Sequence, residues 1–154
     1  MIREIFASVV GVFAFAVLFH APRKSYFACA LLGGVSWGGY LLFSALGAGE
    51  FLAAALAIVV LTICARVCAV LLEMPATVFI VSGIFPIVPG AGIYYTAYSL
   101  MAGDMALFQD KATETVAFAG AIALGIIVGM GLPQAIPGWI GGFLRKCIKR
   151  TASE

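Results

Sequence analysis

Charge is scarce in this chain. Nine Lys and Arg and seven Asp and Glu make up 10% of its 154 residues, while 64% are hydrophobic. The mean hydropathy is +1.14. A soluble domain of this size needs a polar shell, and too few polar residues are present to make one. Metal-binding and nucleophilic chemistry are also thinly supplied. His20 is the single histidine, and the cysteines are Cys29, Cys64, Cys68 and Cys147. Cys64 and Cys68 share one helical face, but no second Cys or His cluster completes a metal site. No Ser–His pair, HExxH motif or pair of intramembrane aspartates is found, so an enzyme is not expected. No cofactor and no nucleic-acid partner is expected either.

What is there is long and neutral. Residues 5–22, 25–49, 51–65, 74–103 and 115–144 carry no Asp, Glu, Lys or Arg. A run of about 18 such residues can cross a bilayer as a helix. Period-two alternation is missing, and Ala, Leu and Gly dominate, which excludes strands. The expected fold is therefore an all-α integral membrane protein. Five transmembrane segments are expected at about 2–20, 25–46, 51–72, 76–102 and 113–136. Arg3 before a short apolar core also resembles a signal peptide, but Glu4, His20 and Pro22 argue against one.

Basic residues orient the chain. Arg23 and Lys24 follow the first span, and Arg145, Lys146, Lys149 and Arg150 lie near the end. The linker after span two offers only Glu50, and the linker after segment four has Lys111 as its one base. The positive-inside rule places the first linker and the tail in the cytoplasm. Five crossings then put the N-terminus outside and the C-terminus inside. Residues 137–154 read as an amphipathic basic helix. Ile140, Phe143, Leu144, Cys147 and Ile148 recur on one side, suited to the anionic inner leaflet or to a partner.

Small residues mark helix contacts. Ala121, Gly125 and Gly129 are spaced by four, as are Gly34 and Gly38. Such stripes let backbones approach closely in lipid, within one subunit or between subunits.

The stretch SGIFPIVPGAG, residues 82–92, is the departure from this pattern. Pro86 offers no N–H to Ser82, and Pro89 offers none to Phe85. Residues before proline avoid helical angles. Gly83, Gly90 and Gly92 are expected to supply backbone freedom. The fourth segment is therefore expected to be two half-helices joined by an unwound stretch. Unpaired backbone groups in lipid cost several kcal/mol each, so protein or a watery cavity must satisfy them. The break is either a structural kink or a solute site. A half-helix starting near Gly90 would present N–H groups suited to a carboxylate. Transporters commonly use discontinuous helices in this way. Tyr94, Tyr95 and Thr96 are the nearest polar candidates for the solute path, with Ser82 on the other side.

Two charges add to the site list. Arg66 lies inside the third span, about 9 Å from its cytoplasmic end at ~1.5 Å per residue. It either meets a solute carboxylate, snorkels, or pairs with Glu73. Glu114 is a candidate proton-coupling carboxylate or an interfacial charge.

The block PATVFIVSGIFPIVPGAGIYYTAYSL, residues 75–100, followed by Gly103-Asp104 and AFAGAIALGIIVG, resembles the threonine/serine exporter family. It is most similar to the small-subunit branch of that family. The resemblance implies a secondary exporter of small carboxylates, succinate or threonine and serine, in the bacterial inner membrane. It also implies a larger membrane subunit carrying the first half of the full-length pattern. An accessory subunit that only assembles with that partner is the alternative.

Overall fold

The computed structural model describes residues 2–133. All regular structure in them is helical: α1 Ile2–Leu18, α2 Tyr26–Ala45, α3 Glu50–Leu72, α4 Ala76–Gly83, α5 Gly90–Ala102 and α6 Met105–Gly131, with short 3-10 turns at Arg23–Ser25 and Phe85–Ile87. The expected basic tail, 137–154, and the end of the fifth expected span lie outside the described residues.

Three helical segments are long and apolar enough to cross a membrane: Arg23–Ala45, Glu50–Leu72 and Met105–Gly131. The α4–α5 pair makes a fourth if its two bent halves form one span. Helix α1 has 17 residues. At ~1.5 Å per residue it reaches about 26 Å, somewhat short of the ~30 Å hydrocarbon core.

Helix α3 is the centre of the bundle and packs on α2, α4 and α6. Ala53, Ala54, Ala57, Ile58, Leu61 and Ala65 on it are fully buried. Small side chains dominate there because three neighbours must approach one axis. In lipid that approach is stabilised by van der Waals packing rather than by expulsion of water. Helix α2 shows how the chain sorts its faces. Cys29, Leu32, Gly33 and Ser36 are buried, whereas Phe27, Leu31, Val35 and Leu42 are exposed. The outward residues are as apolar as the inward ones, as a bilayer-facing surface requires.

The glycine stripes are contacts within this chain. A Cβ on Gly34 would lie 2.7 Å from Val9 Cγ2, and one on Gly38 would lie 3.6 Å from Ile5 Cδ1, so α1 sits on α2 there. A Cβ on Gly125 would lie 2.7 Å from the Ala55 carbonyl oxygen, and one on Gly129 would lie 2.6 Å from Thr62 Cβ. These two glycines, with buried Ala121, bring α6 against α3.

The ends of the helices follow local chemistry. Glu73 adopts a left-handed conformation (φ 53°) after α3, and the Met74 N–H bonds back to the Ala69 carbonyl at 3.0 Å. This closes the helix in the manner usual for a C-terminal cap. Helix α6 begins at Met105, not near 113. The Asp104 carboxylate accepts from the Leu107 N–H at 3.0 Å. That cap starts the helix in the charged linker, ahead of its apolar run.

Candidate functional site

The chain does break where the prolines fall. Helix α4 ends at Gly83, a 3-10 turn covers Phe85–Ile87, and α5 starts at Gly90, with the halves bent by 58°. Pro89 has φ −76° and ψ 59°, the geometry of an inverse γ-turn. The Gly90 N–H accordingly bonds to the Val88 carbonyl at 2.7 Å. The Ile93 N–H bonds to the Pro89 carbonyl at 3.0 Å. Between them, the N–H groups of Ala91 and Gly92 have no backbone acceptor among the described residues. They are the orphan donors of a helix start, which carry partial positive charge.

The two halves have different surroundings. Helix α4 is held inside the bundle by α2 and α3, with Phe79 fully buried. A Cβ on Gly83 would lie 2.6 Å from Leu61 Cδ1. The Gly83 carbonyl accepts from Ser36 Oγ at 2.7 Å, which satisfies one acceptor released by the break. Helix α5 packs chiefly on α6 and buries only Ser99. The two helices meet tightly at Gly92, where a Cβ would lie 2.5 Å from Thr115 Oγ1.

The expected role of the glycines needs correction. Among the described residues, positive φ at glycine occurs only at Gly47 and Gly103. Gly83 and Gly92 are selected by space. A Cβ at Gly90 would meet nothing within 4 Å, so it neither strains the turn nor fills a contact. It borders open space.

That space is a cavity of about 360 Å³. Its floor is the broken stretch from Pro86 to Gly92. Helix α5 adds Tyr95, and α2 adds Trp37 and Tyr40. Glu50 comes from the start of α3, and α6 adds Lys111, Glu114, Thr115 and Phe118. Lys111 Nζ donates to Glu114 Oε2 at 2.8 Å and lies 3.9 Å from Asp110 Oδ2. Aromatic rings build one wall: Trp37 and Tyr40 have centroids 5.4 Å apart, and Tyr40 and Phe118 6.3 Å. A few charged and polar groups in a mostly apolar concavity are the usual make-up of a small-molecule site.

The residues expected from the sequence divide on this map. Pro86, Pro89, Gly90, Gly92, Tyr95 and Glu114 line the cavity together. Ser82, Gly83, Tyr94 and Thr96 do not. The Ser82 hydroxyl donates to the Val78 carbonyl at 3.0 Å, and the Thr96 hydroxyl to the Gly92 carbonyl at 2.8 Å. Tyr94 is exposed and stacks on Tyr98 along the outer face of α5. Arg66 lies elsewhere. It is 7% exposed, and Nη1 donates to the carbonyls of Gly129 at 2.9 Å and Leu132 at 2.8 Å. It closes the end of α6, whose last carbonyls lack helical partners.

Trp37, Tyr40, Glu50, Lys111 and Thr115 are lining residues that the sequence reading passed over. Their signal is faint. Trp37 and Tyr40 stand three apart on α2, and Lys111 precedes Glu114 by one turn. Among the described residues, no group of three His, Cys, Asp or Glu could hold a metal.

No curated protein and no solved structure shows a significant match to the chain. A family profile described as "Threonine/Serine exporter, ThrE" matches residues 4–131, which reaches all six described α-helices and takes in the whole cavity. The broken fourth segment, the multi-pass helical architecture and that match lead to one conclusion: the chain belongs to the threonine/serine exporter family of membrane transporters.

Proposed function

We propose that this chain is one half of a secondary exporter for small amino acids, and that the solute is held at the break. The observation that carries this reading is the start of α5 at Gly90, open to a cavity that also holds Lys111, Glu114 and Glu50. Charges of both signs at one small site suit a zwitterion. The solute carboxylate is received by the Ala91 and Gly92 N–H groups and by Lys111. The solute ammonium is received by Glu114 and Glu50. Loading the site then exchanges the Lys111–Glu114 pair for two pairs with the solute, which limits the cost of desolvation.

Succinate is the second reading, supported by the resemblance to the small-subunit branch. It places a second carboxylate near Glu50 and Glu114 and so requires one of them to bind a proton. Glu114 is then the proton-coupling group. In both readings α1 completes five crossings, with the N-terminus outside and the C-terminus cytoplasmic in a bacterial inner membrane. A larger membrane subunit supplies the other half of the path. Arg66 is not part of the solute path in this proposal, because its donors serve the end of α6.

The test is counterflow of labelled threonine, serine and succinate in membrane vesicles from cells of the source organism, in which the full chain is present together with the larger subunit. Wild type is expected to carry threonine and serine. Gly90→Leu is expected to reach the membrane at the wild-type level and to lose about tenfold or more in transport, because the side chain enters the cavity without a backbone clash. Unimpaired transport by that variant would mean that the path runs elsewhere and the break only shapes the helix.

A further inference from the structure

The cavity at the break has an aromatic corner to which amino-acid export assigns no role. Trp37 and Tyr40 of α2 and Phe118 of α6 all line it. The ring centroids are 5.4 Å apart for Trp37 and Tyr40 and 6.3 Å apart for Tyr40 and Phe118. The planes differ by 35° and 65°, so the rings form a corner and not a flat sheet. Phe51 of α3 backs Phe118 at 6.1 Å. The Trp37 nitrogen takes no part in the cavity. Nε1 is enclosed on the side of the Glu4 carboxylate of α1, which leaves ring carbon as the surface that Trp37 offers to a solute.

A negative charge stands at the same corner. Glu50, at the start of α3, lines the cavity and lies near Tyr40. Among the described residues no Lys or Arg pairs with it, whereas Glu114 is held by Lys111 at 2.8 Å. Ring faces and an unneutralised carboxylate both attract a cation, the rings when it lies within about 6 Å of their centroids. The helix start at Gly90 and Lys111 give another part of the cavity the reverse sign.

We propose that the corner of Trp37, Tyr40 and Phe118, with Glu50 at its edge, binds methylated ammonium groups, so that the site takes N-methylated amino acids of the betaine type as well as primary ones. This rests on the amino-acid reading of the site and names a further class of solute for it. A primary ammonium brings three N–H donors that need acceptors, and ring faces supply no lone pairs. Each methyl that replaces an N–H removes that need and adds apolar contact with the rings. The positive charge is kept, and so is its attraction to the ring faces and to Glu50. The cavity, about 360 Å³, is within the range of small-molecule sites, and glycine leaves most of it empty.

Glycine and its mono-, di- and trimethylated forms isolate the ammonium, because the carboxylate end is the same in all four. The experiment measures how each inhibits threonine counterflow in the vesicle assay. In wild type the inhibition constant is expected to fall with each methyl, by about tenfold from glycine to trimethylglycine. Tyr40→Leu keeps apolar bulk and removes a ring face. It is expected to flatten the series to less than about twofold, while Tyr40→Phe keeps it. If Tyr40→Leu does not reach the membrane, Phe118→Leu carries the same expectation. Inhibition that is level or weakens with methylation in wild type overturns the proposal and leaves the amino-acid reading standing. A full methyl series in the Leu variants also overturns it, since apolar space alone would then explain the preference. If the vesicles carry no threonine, the amino-acid reading itself falls and this inference falls with it.

Discussion

Helices α3 and α5 are both largely apolar and live in opposite conditions. Along α3, Ala53, Ala57, Leu61 and Ala65 are wholly enclosed by three neighbours. Along α5, Ser99 alone is buried, and Tyr94, Tyr95 and Tyr98 are all more than half exposed. The same contrast separates glycines. A Cβ at Gly125 would collide with Ala55 and Ile58, whereas one at Gly90 would meet nothing. One part of the molecule is a fitted frame, and the other is a lightly held arm that begins at a cavity. Apolar composition is common to both, so hydrophobicity alone does not say where the function lies. Packing does.

Substitutions at the two glycines should split cleanly along this line. Gly125→Leu is expected to cost about 3 kcal/mol or more, because α3 and α6 must separate to admit it. The readout is the amount of folded chain in the membrane and its thermal stability in detergent, and a wild-type level would break the comparison. Gly90→Leu should leave both intact while removing transport, as set out above.

The charges sharpen the contrast further. Lys111→Met is expected to lower threonine transport by about tenfold with little loss of folded protein, since an exposed ion pair contributes only ~0–1 kcal/mol to stability. Arg66→Ala is expected to do the reverse. It removes two hydrogen bonds from a buried cation to the end of α6, a loss of about 2–3 kcal/mol. Transport per folded molecule should stay near wild type. A transport defect in Arg66→Ala at full abundance would move Arg66 from the frame to the path.

Sequence made the break legible and the frame much less so. Pro86 and Pro89 forbid two helical hydrogen bonds whatever surrounds them, so the local chemistry fixes the result. The helix start at Gly90 follows from the same constraint. Arg66 was ambiguous because its partners, the carbonyls of Gly129 and Leu132, are backbone groups more than sixty residues away. Backbone acceptors leave no trace in composition. The early start of α6 was readable in principle, since Asp104 is a favourable capping residue, but charge in the following turns masked it. The glycine stripe told of a close contact without naming the neighbour, and the fold supplies α3 for Gly125 and Gly129.

The smallest expected effect belongs to the residue that joins the two regions. Ser36 Oγ lies 2.7 Å from the Gly83 carbonyl and 2.9 Å from that of Gly33. Its single proton is shared between the end of α4 and its own helix. Ser36→Ala removes a neutral hydrogen bond, an expected loss of about 1 kcal/mol in stability, and leaves the Gly83 carbonyl without that donor. That acceptor sits at the edge of the break, so the turn at Phe85–Ile87 loses one tether to the frame. Pro86 has no N–H, and the Val88 N–H reaches the Phe85 carbonyl only at 3.3 Å. A turn so sparsely bonded depends on its tethers to hold the cavity floor in place. The expected result is a modest rise in KM for threonine, about two- to threefold, at nearly normal abundance. Ser36→Thr keeps the hydroxyl and is expected to recover most of the affinity wherever its extra methyl fits. If Ser36→Ala instead matches wild type in KM while losing stability, the floor is held by the α4 packing of Phe79 and Gly83, and the frame extends one turn further, into the break.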